Sequence, residues 1–281
     1  MLKIDTHQHF WKYDPNKDGW ITDDMSLLQK DFLPDDIYPV LIHNQITGCV
    51  AVQADQSATE TAFLLDLAGR SHFIKGVIGW VDLKDGSLSD KLEFYKGFKK
   101  LKGFRHVLQA EKDPKFMISK QFYHGISLLG SFDFTFDLLL TPGQLPFAKK
   151  LVGDFPNQRF ILNHLGKPYI KDKALAEWSK DIEELAKLEN VCCKVSGLLT
   201  QAGWYCWKAE DIFPYIDVAV NAFGVERLMF GSDWPVCTLA GGYNNYLTLL
   251  NNYFEQFSLA DQAKFWGENA CSYYDITDDT I

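Results

Sequence analysis

Short apolar runs alternate with amphipathic stretches along the whole chain. The run Gly48-Cys49-Val50-Ala51-Val52-Gln53 has almost no polar position, the mark of a strand buried on both faces. Similar runs predict strands over 3–9, 74–83, 102–109, 134–140, 159–164, 191–198 and 227–233. Between them, apolar residues recur at helical spacing. These stretches predict helices over 31–43, 59–69 (with Ser57 as its cap), 89–100, 119–129, 145–152, 174–188 and 209–223, then closing helices over 243–254 and 258–274. Only 10–30 lacks a clean period; it is aromatic and turn-rich, and a loop that long in a compact fold is usually functional.

Eight strand-then-helix units with strands this apolar predict an α/β fold, a (β/α)₈ barrel, in one domain spanning 1–281. A doubly wound open sheet is the alternative. No Gly-x-Gly-x-x-Gly follows any strand, and composition does not break along the chain, so the barrel is preferred.

A formal net charge of −9 argues against a nucleic-acid or anionic-membrane partner. No apolar run approaches the length of a membrane span, and no charged-then-apolar leader precedes the first strand. The six cysteines form no C-x-x-C pair, which predicts reduced thiols and a cytoplasmic protein. A homo-oligomer is compatible with all of this.

In such barrels chemistry sits at the C-terminal ends of the strands. The first strand ends in Asp5-Thr6-His7-Gln8-His9, where strand alternation puts His7 and His9 on one face. Two imidazoles so placed are a nitrogen pair for a borderline metal such as zinc. Taken alone, His-x-His is a weak signal. However, His164 ends the sixth strand and Asp233 the eighth. Singly, each suits a structural role, His164 as a hydrogen-bonded strand end and Asp233 as a loop cap. Together the four lie on one rim and form a set suited to a divalent ion with an open position for water. The other polar residues at strand ends are Gln53 and Asp55, Trp80 and Asp82, Arg105, His106 and Gln109, and Lys194 and Ser196.

Asp5-Thr6-His7-Gln8-His9, Asn163-His164-Leu165-Gly166-Lys167-Pro168 and Phe230-Gly231-Ser232-Asp233-Trp234-Pro235 resemble the amidohydrolase superfamily. More narrowly they resemble its lactonase branch, which includes L-fuconolactonases, 4-sulfomuconolactonase and 2-pyrone-4,6-dicarboxylate lactonase. Gly79-Trp80-Val81-Asp82-Leu83 and Arg105-His106-Val107-Leu108-Gln109 are similar to motifs of its sugar-lactonase members, and the similarity runs to Gly267-Glu268-Asn269-Ala270. Dinuclear members carry a bridging modified lysine at the end of strand four. Here that strand has its lysines, Lys99, Lys100 and Lys102, at or before its start, so one metal at most is expected, most readily Zn²⁺. The branch also includes members that work without one.

The resemblance implies hydrolysis of a small-molecule lactone to its hydroxy acid, with Asp233 as general base and His164 holding the water or the carbonyl oxygen. The metal, or His7 and His9 directly, would polarise the ring carbonyl. Arg105 and Gln109 share a strand face and are candidates to grip substrate oxygens, with Gln53 and Trp80 on neighbouring strand ends. His106 points to the opposite face of a regular strand; one of Arg105 and His106 is structural, and the resemblance does not say which. Trp204-Tyr205-Cys206-Trp207, with Trp11 and Trp20, are candidates to wall a sugar-sized pocket, or else rings that pack the loops together. A rim with one arginine suits a neutral or singly charged sugar lactone rather than a dicarboxylate. Two rival readings are a metal-dependent decarboxylase of an aromatic or muconate-type acid on the same fold, and a barrel that binds a ligand without turnover.

Overall fold

The computed structural model describes residues 1–204 and 206–277. Eight strands, β1 (Ile4–Gln8), β2 (Gly48–Val52), β3 (Ile74–Gly79), β4 (Leu101–Val107), β5 (Thr135–Leu139), β6 (Phe160–Leu162), β7 (Val191–Val195) and β8 (Leu228–Phe230), pair in sequence order. All seven pairings are parallel. The sheet closes where β8 runs back past β1. Asp233 N donates to the His7 carbonyl at 2.9 Å and His9 N to the Trp234 carbonyl at 2.7 Å. Gly231 sits at this seam because a Cβ there would lie 2.8 Å from His7 Cβ. The result is a (β/α)₈ barrel.

Helices cover its outside: Pro34–His43, Ala58–Arg70, Leu88–Tyr95, Lys120–Ser131, Leu145–Asp154, Ala176–Ala186, Ala209–Phe223 and Gly242–Phe254. Ser57 caps its helix as expected, its side chain accepting from Glu60 N at 3.2 Å. The expected helix over 89–100 is shorter, ending at Tyr95, because Gly97 begins a turn into β4. No helix among the described residues is long and apolar enough to cross a membrane.

The strands are apolar on both faces because they serve two cores. Val50, Val52, Ile78, Ile161, Cys192 and Met229 fill the barrel interior, while Cys49, Ala51, Phe104, Phe160, Leu162 and Cys193 pack against the helices. Ala270, Tyr274 and Ile276 of the C-terminal segment join the interior cluster. Lys102 and Arg159, at the starts of β4 and β6, donate to the Asp275 and Tyr273 carbonyls at 2.7 and 3.0 Å, so this segment corks the end where the strands begin. The opposite end is left for chemistry.

Candidate active site

The inward alternation that fills the barrel with apolar groups changes character halfway up. Arg105 from β4, Asp137 from β5, Lys194 from β7 and His7 from β1 are all buried, with Asn163 just beyond β6. Lys194 Nζ donates to Asp137 Oδ2 at 2.7 Å, Asn163 Nδ2 to the same oxygen at 2.9 Å, and Tyr274 Oη to Oδ1 at 3.1 Å. The Lys194 ammonium also lies 3.4 Å from His7 Nδ1. Burial pushes the Lys194 pKa down, and the Asp137 charge opposes that.

Arg105 is consumed by this layer. Its Nη1 lies 3.1 Å from His7 Nε2 and 3.3 Å from Asn163 Oδ1, and its Nη2 donates to the Gln53 carbonyl and Oε1. Gln53 Nε2 returns a bond to the Arg105 carbonyl at 3.2 Å. Burial pushes the guanidinium down to about 10, so it stays charged at neutral pH. Only its Nε–H is without a partner among the described residues.

Above this layer stands Asp233. Its Oδ1 is 3.4 Å from His9 Nε2, 3.7 Å from His7 Nε2 and 3.9 Å from His164 Nε2. Two tight turns bring these groups together. Asp233 has φ +59°, and His164, Leu165, Gly166 and Lys167 have φ of +55°, +52°, +69° and +53°. Left-handed backbone in non-glycine residues costs about 1–2 kcal/mol each. The strands expected to end at 164 and 233 therefore stop earlier, at Leu162 and Phe230. Gly197, also left-handed, abuts His164: a Cβ there would lie 2.7 Å from His164 Nδ1 and 3.4 Å from Asp233 Oδ2.

The proton positions follow from partners. His9 Nδ1 is 2.8 Å from the Val52 carbonyl, so Nδ1 carries a hydrogen and Nε2 is the atom that faces Asp233. A lone pair facing a carboxylate oxygen is favourable only with a proton or a cation between them. His164 Nδ1 is 2.8 Å from Ser196 Oγ, which orients the ring. Burial, first of all, lowers the His164 pKa to about 3, and lowers that of His7 well below its usual value with help from Lys194. Both are neutral at physiological pH. Burial alone would raise the Asp233 pKa, but His164, His9 and Lys167 outweigh it, so the carboxylate is held below its usual value and ionised.

One donor atom from each of His7, His164 and Asp233 lies within 4.8 Å of the others, all buried. Two imidazole nitrogens and a carboxylate oxygen suit one divalent ion with an open position. His9, paired with His7 in the sequence reading, falls outside this tight set and approaches through Asp233. At His7 Nε2 an ion would take the place now held by the Arg105 N–H.

The remaining strand-end residues are not gathered at Asp233. His106 faces the helices: it stacks on Phe116 with 5.2 Å between ring centroids, and its Nε2 meets Glu111 Oε1 at 2.7 Å. Arg105 and His106 are successive on a regular strand, so one points in and the other out. Gln109 lies in the turn Leu108–Ala110 beyond β4, so it no longer shares a strand face with Arg105. Trp80, just past β3, is partly buried with its indole N–H unpartnered among the described residues. Trp207 donates to the Ala240 carbonyl at 2.7 Å, and Trp204 packs partly buried on the outer core. Trp11 is buried against Phe32 and Trp20, packing the long first loop. Tyr205 lies outside the described residues. Lys194 and Ser196, polar within an apolar run, stand out in the sequence but without a role, and Asp137, which completes this supporting layer, has no such signal.

Known proteins share the sequence family and the fold of this chain. The amidohydrolase family model matches residues 4–276. An L-fucono-1,5-lactonase of Burkholderia multivorans is 40% identical over 97% of this chain and 96% of its own. A second L-fucono-1,5-lactonase, from Burkholderia ambifaria, is 33% identical over 98% and 96%. A crystal structure of a Burkholderia multivorans amidohydrolase with bound zinc superimposes with a TM-score of 0.95 at 39% identity, covering 99% of this chain and 100% of that one. With the match spanning nearly every described residue, the chain belongs to the amidohydrolase family.

Proposed function

We propose that this protein hydrolyses a six-carbon sugar lactone to its hydroxy acid, with L-fucono-1,5-lactone the leading candidate and Asp233 as general base. The observation that carries this is the ionised Asp233 carboxylate with three imidazole Nε2 atoms within 3.9 Å of Oδ1, in a chain similar to two L-fucono-1,5-lactonases. His7, His164 and Asp233 would hold a single Zn²⁺, which when bound supplies positive charge to polarise the carbonyl and acidify water.

The chain's own groups do the rest. Asp233 takes a proton from the water that attacks the lactone carbonyl carbon. The tetrahedral intermediate then collapses, the bond from the carbonyl carbon to the ring oxygen breaks, and Asp233 returns the proton to that oxygen. The product is the open hydroxy acid. Ser196 holds the His164 ring against this exchange, and the Arg105 layer holds His7. The net charge of −9 and the aromatic loops fit a neutral sugar-sized substrate better than a polyanion.

A pH-indicator assay of L-fucono-1,5-lactone, other aldonolactones and a simple alkyl lactone tests this, run with added Zn²⁺ and with chelator. Sugar lactones should react well ahead of the alkyl lactone, and Asp233→Asn should lose about 10²–10⁴-fold in kcat. Equal rates on both lactone types, or full activity in Asp233→Asn, overturn the proposal. Release of carbon dioxide from an aromatic acid without lactone turnover would assign the decarboxylase reading instead.

A further inference from the structure

Among the described residues, the charges of Lys194, Arg105 and Lys167 act on the groups of the site, and the first two cations are already occupied. Lys194 is spent on Asp137 at 2.7 Å, and Arg105 on His7, Asn163 and Gln53. Lys167 differs. It ends the left-handed turn that carries His164, with its backbone N–H donating to the His164 carbonyl at 2.8 Å. Its side chain is partly buried, yet among the described residues its ammonium has no hydrogen-bond acceptor and no ion pair. Asp233 is the carboxylate whose charge acts on it, and Arg105 is the cation that opposes it. A partly buried ammonium with no hydrogen-bond acceptor gives up hydration and receives only a longer-range attraction to Asp233 in the free protein. The arrangement becomes favourable when an oxygen-rich ligand enters.

The proposed reaction supplies one. Hydrolysis turns a neutral lactone into a carboxylate beside the ionised Asp233, through an intermediate whose negative charge grows on the former carbonyl oxygen. We propose that Lys167 binds the C1 oxygen of the lactone and then the carboxylate of the product, so that it, rather than Arg105, is the cation that meets substrate. The inference rests on the lactonase reading and adds a substrate-binding residue to it.

Lys167→Met and Lys167→Arg test it cleanly, because a φ of +53° costs Lys, Met and Arg alike and only the ammonium changes. Removing one donor to a developing oxyanion costs about 10²–10³-fold in kcat. Lys167→Met should lose about 10²-fold in kcat on L-fucono-1,5-lactone, with a smaller change in KM. Calorimetry should show L-fuconate binding weakened about tenfold or more. Lys167→Arg should recover much of both, and zinc content and unfolding midpoint should match the unmodified protein. Unchanged kcat and unchanged L-fuconate binding in Lys167→Met, with an active parent, overturn the role of Lys167 alone. Equal loss in Met and Arg variants with a lowered unfolding midpoint overturns it in favour of a structural role. An unmodified protein that turns over no lactone overturns the lactonase reading, and this inference with it.

Discussion

Replacing Asp137 by Asn should unfold the polar floor of the barrel from within. Asp137 and Lys194 are both fully buried, with Nζ to Oδ2 at 2.7 Å. Two unit charges at that separation attract by about 6 kcal/mol at an effective dielectric of about 20, before desolvation is subtracted. An asparagine keeps the volume and can still meet Asn163 and Tyr274, which now donate to the carboxylate at 2.9 and 3.1 Å. It leaves the Lys194 ammonium buried without a counter-charge and only 3.4 Å from His7 Nδ1. Breaking a buried pair in this one-sided way costs about 3–5 kcal/mol. Urea unfolding followed by tryptophan fluorescence reads this loss as a lower midpoint at unchanged slope. Adding Lys194→Met to Asp137→Asn removes the stranded charge and should restore more than half of the stability. The reasoning fails if Asp137→Asn stays within about 1 kcal/mol of the parent, or if the double variant is no better than the single one.

Arg105→Met should depress hydrolysis of sugar and alkyl lactones by similar factors in parallel kinetics, because Arg105 holds His7, Gln53 and Asn163; loss confined to sugar lactones would instead place it on substrate. Gly197→Ala should cost about 1–3 kcal/mol for its left-handed φ, and should lower kcat at least tenfold as the new methyl displaces His164, both measurable by melting and steady-state assay. His164 titrates near 6.5 unfolded but about 3 folded, so the unfolded chain binds more protons between those values and stability falls as pH drops through them. Denaturation midpoints of the parent and His164→Gln should diverge from pH 6 to pH 4 by up to about 1.4 kcal/mol per unit, the parent losing more.

The fold was legible because its signal is repeated. Each strand is an apolar run bounded by polar turns, and each has a helix of the right length after it. The interior and exterior cores account for runs such as Cys49 to Val52, and for the adjacent Cys192 and Cys193 facing opposite layers. Strand ends were less legible. Regular alternation places His164 on the face of Phe160 and Leu162, which pack against the helices. Periodicity thus aims this histidine away from the site, and its place at a strand end on the barrel rim carried the assignment. Arg105 was readable as inward-facing, but not as consumed. Its partners come from β1, β2 and the turn after β6, which no local pattern connects.

The misread strand ends at 164 and 233 share a physical origin in left-handed backbone. His164, Leu165, Lys167 and Asp233 all have positive φ without being glycine. At about 1–2 kcal/mol each, these residues would relax to ordinary conformations if the surrounding structure did not hold them. The Asp233 N–H is tied to the His7 carbonyl at 2.9 Å, and the Leu165 carbonyl to Trp178 Nε1 at 2.8 Å. The effect is to reverse the direction in which His164 and Asp233 leave their strands, so that both meet at the barrel mouth. The same reversal after β6 places Lys167 within the charge field of Asp233. A strand that simply ran on would have kept its alternation and delivered His164 to the helix layer. The local strain is therefore the means by which two separate strand ends converge on one point.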